Sequence, residues 1–318
     1  MNCPFVYKYM PSTLNEFDME FNMKQLLYEL IQSNIINIII TGDNCSGKTI
    51  LSNIIVHEYY MNEPKSNIND NILCINSLRE QGVHYYRSDV KCFCQTASTI
   101  VGKKKIIILD DLDLINNQSQ QIFLNYMDKY SHNVHFITTC SNPQKIIDNI
   151  HSRLINIKLS PITSEYLSSL LYKVIEQEKI QIQDDAISNI LSISKKSSRV
   201  LLNYLEKFKL IKLPITNEIV YNLSTDIKHE LFDTFTQYIL KKDKINAIKT
   251  ITNIQKEGYS VIDILEFYFL YLKMAQYEDD IKYRFIQVLC KYITIFNTIH
   301  EDNIELLFFV NDLEKIIN

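Results

Sequence analysis

"ITGDNCSGKTIL", residues 40–51, decides the fold. The spacing Gly42-x-x-x-x-Gly47-Lys48-Thr49 is that of a phosphate-binding loop. In such a loop consecutive backbone N–H groups curl around an anion, and the helix that follows aims its positive end at it. Two of the five glycines in the chain occupy the two required positions. The intervening residues Asp43, Asn44, Cys45 and Ser46 are unusual for such a loop, but each still offers a backbone donor. Asp43 adds a negative charge close to the anion. Lys48 is expected to set a point charge against the outer phosphates of ATP, and the Thr49 hydroxyl to hold Mg2+.

The flanks agree with this reading. "INIIIT" (36–41) is a β-branched run that ends at the loop, and an apolar helix is expected over 48–60. Further runs follow: "NILCIN" (71–76), "KIIILD" (105–110), "VHFITTC" (134–140) and "LINIKL" (154–159). They are continuously apolar without strict alternation, as strands buried on both faces of a parallel sheet are. A helix is expected over 117–129, and the alternation argues for an α/β domain. After residue 160 the runs stop. Pro161 and a Thr163 N-cap open a helix in which Leu167, Leu170, Leu171 and Val174 recur at helical spacing. Helices continue to about 213, Pro214 marks a connection, and helices resume from about 226 to 318. "VIDILEFYFLYLKMA" (261–275) is apolar on nearly every face, so it is expected to be buried all round, within a helical domain or against a neighbouring subunit.

Bulk properties limit the classes. The 318 residues suit two or three domains, and 46% apolar with 22% charged residues is a globular composition. A net charge of −4 argues against a uniformly basic nucleic-acid coat while permitting a local basic face. The seven cysteines form no Cys-x-x-Cys pair, which argues against a zinc module and for reduced thiols in an intracellular protein. The opening "MNCPFVYKYMP" shows no apolar signal core, and no apolar run approaches the ~18 residues of a membrane helix.

The second half of the site is "KKKIIILDDLDLI" (103–115). Asp110 ends a strand and is placed to hold the metal; Asp111, next in line, is placed to orient the attacking water. Lys103, Lys104 and Lys105 read as a solvated approach to that strand. A third strand end, "TTCSNPQKI", offers Asn142 to the γ-phosphate or the water.

With these residues in hand, the chain resembles the small subunits of replication factor C, the clamp loaders among the AAA+ ATPases. "VYKYMPSTLNEF" (6–17) is similar to the family's opening Val-Glu-Lys-Tyr-Arg-Pro segment. "NSLREQGVHYYRSDVKCF" (76–93), the stretch from Ile106 to Leu154 and "KKSSRVLLNYL" (195–205) resemble later family segments in the same order. The resemblance spans almost the whole chain. It implies an α/β AAA+ P-loop domain with a parallel sheet over 1–160, a helical lid over 161–222 and an all-α collar domain over 223–318. It implies that Val6 and Tyr9 lie against the adenine, that Asn142 is the first sensor, and that Arg199 reaches the γ-phosphate from the lid. Arg153, in Ser152-Arg153-Leu154, matches the arginine that enters the neighbouring subunit's ATP site. Arg87 matches a basic position facing primer–template DNA, with Lys91 one turn on, and such contacts are sequence-independent. The segment 93–101 is the expected contact with a ring-shaped sliding clamp. The implied partners are other loader subunits in a pentamer, the clamp and DNA, and the implied place is the nucleus or a viral replication compartment, with no membrane.

Departures are informative. The family's Asp-Glu pair is Asp110-Asp111 here, so the second carboxylate falls roughly 1 to 1.5 Å short, a misplacement large enough to slow hydrolysis. Tyr-Arg-Pro is Tyr9-Met10-Pro11, Asp-Glu-Arg-Gly is Arg79-Glu80-Gln81-Gly82, and Ser-Arg-Cys is Ser152-Arg153-Leu154. The readings left open are an active loader subunit, a scaffold subunit that binds ATP and scarcely hydrolyses it, and another AAA+ replication loader such as a helicase loader.

Overall fold

The computed structural model describes residues 3–61, 63–76, 83–211, 213–224, 227–298 and 302–316. The chain divides into two compact units, Met1–Ile215 and Thr216–Asn318.

The first unit is built on a parallel sheet of five strands: β1 (Ile38–Thr41), β2 (Ile72–Asn76), β3 (Lys105–Asp110), β4 (Val134–Cys140) and β5 (Ile155–Lys158), in the order β2-β3-β4-β1-β5. The chain opens with the short α1 (Phe5–Lys8), and the faces of the sheet are covered by α2 (Phe21–Gln32), α3 (Lys48–Tyr59), α4 (Lys65–Asp70), α5 (Val83–Gln95), α6 (Asn117–Lys129) and α7 (Asp148–His151). The period of two along a strand sorts the isoleucines between the faces. Ile38, Ile40, Ile106, Ile108 and Ile137 pack with Leu51, Ile54 and Ile55 of α3. Ile39, Ile107, Leu109 and Phe136 pack with Val90 of α5 and Phe123 of α6. That two-sided burial is why β1, β3 and β4 read as unbroken apolar runs. It also fixes the register Thr41↔Cys140 and Leu109↔Thr138, which brings the carboxyl ends of β1, β3 and β4 side by side.

Three helices complete this unit: α8 (Ser164–Glu178), α9 (Asp184–Ile193) and α10 (Ser198–Ile211). Thr163 caps α8 by accepting the Tyr166 N–H, and Leu167, Leu170, Leu171 and Val174 form its buried stripe. The second unit holds α11 (Asn217–Leu223), α12 (His229–Leu240), α13 (Lys244–Lys256), α14 (Val261–Met274), α15 (Asp279–Thr298) and α16 (Ile304–Ile316). Its core gathers Phe232, Phe235, Tyr268, Phe285 and Phe309.

Two expectations are corrected. The helix at 261–275 is not buried all round: Leu270 and Met274 are exposed, while Ile264, Leu265, Tyr268, Tyr271 and Leu272 face the core. A capping box of Ser260 and Asp263 starts it, so local chemistry rather than burial on every side fixes its position. The lysines 103–105 are not uniformly solvated either. Lys105 is 4% exposed, and its amine donates to Thr96 Oγ1 at 2.6 Å and the Phe93 carbonyl at 3.4 Å, closing the end of α5. A lysine there buries its stem and places its charge on acceptors that the helix end leaves free.

His135 of β4 gives the first unit a pH-dependent weakness. Its Nε2 lies 3.0 Å from Asn34 Oδ1, its Nδ1 is buried without a partner, and burial, aided by the Lys104 charge, pushes its pKa from 6.5 down to about 4. The folded chain keeps the ring neutral while the unfolded chain takes a proton below 6.5. The ring's contribution is therefore complete above pH 6.5 and is lost as pH falls toward 4, by about 2 kcal/mol at pH 4.5. Urea unfolding of the parent and of His135→Gln at pH 7.5 and 4.5 measures this. The stability gap between them is expected to narrow by about that amount at the lower pH; an equal gap at both values would refute it.

Candidate nucleotide-binding site

The loop expected at 42–47 joins β1 to α3 and depends on both of its glycines. Gly47 has φ +91°, a left-handed conformation, and a Cβ there would lie 3.0 Å from the Phe17 ring. A Cβ on Gly42 would sit 2.8 Å from Ser46 Oγ and 3.1 Å from Leu159 Cβ. Cys45 also has positive φ, +64°, which turns the loop inside its middle segment. The Ser46 hydroxyl is buried with no hydrogen-bond partner, as expected of a donor reserved for an anion. Lys48 is buried, and its Nζ donates to the carbonyls of Gly42 and Asp43, both at 2.9 Å. The cation is thus held at the loop by acceptors that a phosphate oxygen can replace.

The acidic pair meets the loop from the end of β3, one strand beyond β4. Thr49 Oγ1 donates to Asp110 at 3.1 and 3.3 Å, and Thr139 Oγ1 donates to Asp110 Oδ1 at 2.7 Å. Hydroxyl and carboxylate oxygens are the donor set Mg2+ accepts, with phosphate and water filling the other positions. No group of three or more His, Cys, Asp or Glu forms a metal cluster among the described residues. Asp111 is left-handed, at φ 54° and ψ 57°, and its N–H donates to Thr139 Oγ1 at 2.9 Å. Burial first, then the Asp110 charge, raises its pKa, with Lys48 opposing. A carboxylate so raised is a better proton acceptor than an exposed aspartate.

At the end of β4 the arrangement differs from expectation. The Asn142 side-chain oxygen accepts the Gln144 N–H at 3.0 Å and caps a short 3₁₀ turn. The side chain that touches the loop is Ser141, whose Oγ donates to Asn44 Oδ1 at 3.0 Å. Asp113 accepts the backbone N–H groups of Ser141 and Asn142 and so ties the end of β4 to the turn after β3. Buried Gln120 on α6 works alongside it: its amide donates to the Ile115 and Lys145 carbonyls, and its oxygen accepts the Ile147 N–H. Thr139, Ser141, Asp113 and Gln120 carried no motif of their own.

The remaining expected residues occupy three other places. Tyr9 belongs to an N-terminal arm fastened to the helices α8 and α10. Glu178, nearly buried, accepts Lys8 at 2.6 Å, the Tyr9 hydroxyl at 2.7 Å and Lys209 at 2.5 Å. Those hydrogen bonds, Lys209 first, pull its pKa down to about 2. The Phe5 N–H adds a bond to Glu206 at 3.2 Å, and Tyr9, Pro11, Tyr166 and Lys173 help line an open cavity of ≈ 510 Å³. Val6 is half-buried on the same arm. Arg199 is exposed in the first turn of α10, and Arg87 and Lys91 are exposed one turn apart on α5. The departure at Arg79–Gly82 lies outside the described residues. Arg153 is exposed and forms a bidentate pair with Asp128, at 2.5 and 3.0 Å, while its Nη1 donates to Asn149 O and Ser152 Oγ. Arg153 is thus engaged in a surface salt bridge, and none of these partners belongs to the loop.

Comparison with known proteins adds to this geometry. Residues 38–161 match the model of the ATPase family associated with various cellular activities (AAA). A replication factor C small subunit of Methanococcus maripaludis is 28% identical over 83% of this chain and 84% of its own. Replication factor C subunit 5 of Homo sapiens is 24% identical over 88% of this chain and 82% of its own. A putative replication factor C small subunit of Acanthamoeba polyphaga mimivirus is 25% identical over 90% and 88%. Among solved structures, the Thermotoga maritima RuvB Holliday junction branch migration motor shares the fold at TM-score 0.55 and 15% identity, over 73% of this chain and 79% of its own.

The three-way contact at Glu178 is the most concentrated polar attachment of the N-terminal arm. Glu178→Gln is expected to cost about 1–3 kcal/mol and to free residues 4–10. Limited proteolysis checks this: the arm of the variant should be cut at least several-fold faster than that of the parent, and equal rates would show that Phe5 packing alone holds it.

Proposed function

We propose that this chain is an AAA ATPase of the replication factor C small-subunit type and works as one ATP-binding subunit of a sliding-clamp loader. In this reading ATP binding closes an assembly of such subunits around an opened clamp, and primer–template DNA triggers hydrolysis and release. The observation that carries it is the division of the catalytic groups. Lys48, Thr49, Asp110 and Asp111 converge at the strand ends, whereas Arg153 is displayed on the surface and paired with Asp128. A site divided in this way is completed by a neighbouring subunit.

Each residue then has a task. The loop N–H groups from Asp43 to Thr49 and the Lys48 amine hold the phosphates. Thr49 and Asp110 hold Mg2+, which neutralises charge on the phosphates when bound. Asp111 orients and deprotonates the attacking water. Val6 and Tyr9 face the base, Arg199 reaches from the lid, and Arg153 serves the next subunit's ATP. Arg87 and Lys91 rest on DNA phosphates, and the segment 93–101, in which Val101 is fully exposed while Cys94 and Ile100 are buried, meets the clamp. The lid is assigned to 161–222 and the collar to 223–318. The exposed apolar residues Leu270 and Met274 on α14 and Leu307 and Phe308 on α16 suit a collar that joins subunits.

A second reading, an ATP-holding subunit of the same assembly that scarcely hydrolyses, is favoured by one observation. Asp111 combines a short side chain with a left-handed backbone, so its carboxylate has little freedom to extend toward the water.

Purification of the assembly with its partner subunits decides between loader classes: a ring-shaped clamp should copurify, and its absence with a helicase present would overturn the reading. In that assembly Arg153→Ala is expected to leave nucleotide binding to its own subunit unchanged. It should slow single-turnover hydrolysis at the adjacent site by about 10²-fold or more. Asp111→Glu is expected to raise hydrolysis at this site about tenfold if the short side chain limits it. Asp111→Ala without any effect there would establish the scaffold reading.

A further inference from the structure

We propose that Thr139 is a positioning residue of this site, its single hydroxyl setting the Asp110 carboxylate and the Asp111 backbone together. The proposal rests on the reading above that Asp110 helps to hold Mg2+. Thr139 lies on β4, next to β3, and is fully buried. A hydroxyl has one proton to give and lone pairs to receive. Here the proton goes to Asp110 Oδ1 at 2.7 Å, and a lone pair takes the Asp111 N–H at 2.9 Å. Donation to a carboxylate is the stronger, charge-assisted kind, so Asp110 fixes the hydroxyl's direction, and that direction presents the lone pair to Asp111.

The second bond falls on the residue whose backbone is left-handed at φ 54° and ψ 57°. A non-glycine residue holds that conformation only when its surroundings fix it. The turn at Asp111 sends the chain from β3 into the 3₁₀ segment Leu112–Leu114 and aims the Asp111 side chain. Asp110 in turn accepts from Thr49 Oγ1, the hydroxyl that begins α3. The chain of contacts Thr49–Asp110–Thr139–Asp111 therefore joins the metal-holding pair to the water-orienting residue through one buried oxygen. Removing that oxygen should disturb both functions at once and leave the loop's grip on phosphate intact. The preceding residue supplies a control: Thr138, equally buried, donates to the Ile38 carbonyl at 3.4 Å and touches neither acid.

The test measures the affinity of the full chain for a fluorescent ATP analogue in EDTA and across a Mg2+ titration, followed by single-turnover hydrolysis in the assembly with its partner subunits. Thr139→Val should bind the analogue in EDTA as the parent does. It should need about tenfold more Mg2+ for half-maximal enhancement and hydrolyse about 10- to 100-fold more slowly, the scale of a lost bond to a charged group. Thr139→Ser, which keeps the hydroxyl, should return both within about threefold of the parent, and Thr138→Val should alter neither. Should the valine disturb packing, Thr139→Ala carries the same expectation. Parental Mg2+ dependence and rate in both the valine and alanine variants would overturn the proposal, as would a serine variant no better than valine. Asp110→Asn separates the two layers. If it leaves the Mg2+ dependence unchanged, the reading of Asp110 falls and the proposal with it. If it shifts that dependence and Thr139→Val does not, only the proposal falls.

Discussion

The contact between the Thr49 hydroxyl and the Asp110 carboxylate closes the site, joining residues 61 positions apart. Neither residue could reach the other without the parallel sheet. β1 and β3 are separated by β4, and the register across the three strands sets their carboxyl ends level. That register is held by apolar burial on both faces, because a slip of one residue would exchange the isoleucines that face α3 with those that face α5 and α6. The apolar core therefore does more than stabilise the first unit. It sets the positions of four polar groups to within a hydrogen bond of one another. In open α/β sheets ligands bind beyond the carboxyl ends of strands for this reason.

What was legible in the sequence follows from what is local. The strands β1, β3 and β4 could be read as unbroken apolar runs because each is buried on both faces, and the helix at 117–129 because its buried residues recur at helical spacing. The phosphate loop was legible because backbone geometry demands glycine at two fixed positions. Long-range polar partnerships were not legible. Glu178 gathers two lysines and a tyrosine from segments up to 170 residues away, and no spacing announces that. Lys105 looked like its two neighbours in sequence and differs only because β3 carries it beneath the end of α5. The contact of Ser141 with Asn44 was not legible either, because it depends on where the strand ends and the turn begins, which composition does not fix.

Polar attachments and apolar packing divide the work within the first unit. The central strands β1, β3 and β4 are buried, while the N-terminal arm and the helices α8 and α10 are joined through the Glu178 carboxylate and two half-exposed lysines. Bonds of that kind are individually weak, sensitive to salt, and able to break and re-form without disturbing a core. Arg153 is held in the same manner, by Asp128 and by acceptors at the end of α7. The proposed function offers this arginine to a neighbouring subunit, for which it must leave such partners at small cost, and an exposed pair permits that where a buried one would not.

Binding and hydrolysis make unequal demands on this architecture. Phosphate binding draws on many backbone N–H groups, and an unusual loop sequence changes their direction little as long as Gly42 and Gly47 keep their conformations. Under the proposed function, hydrolysis draws on one carboxylate, that of Asp111, whose backbone is left-handed and whose N–H donates to the Thr139 hydroxyl. A loss spread over several donors is shared, whereas a misplacement of roughly 1 Å at a single catalytic group is felt in full. The replacement of glutamate by Asp111 therefore bears on rate far more than on affinity. An assembly driven closed by ATP binding can use such a subunit in either mode, because closure depends on the shared donors and only release depends on the single one.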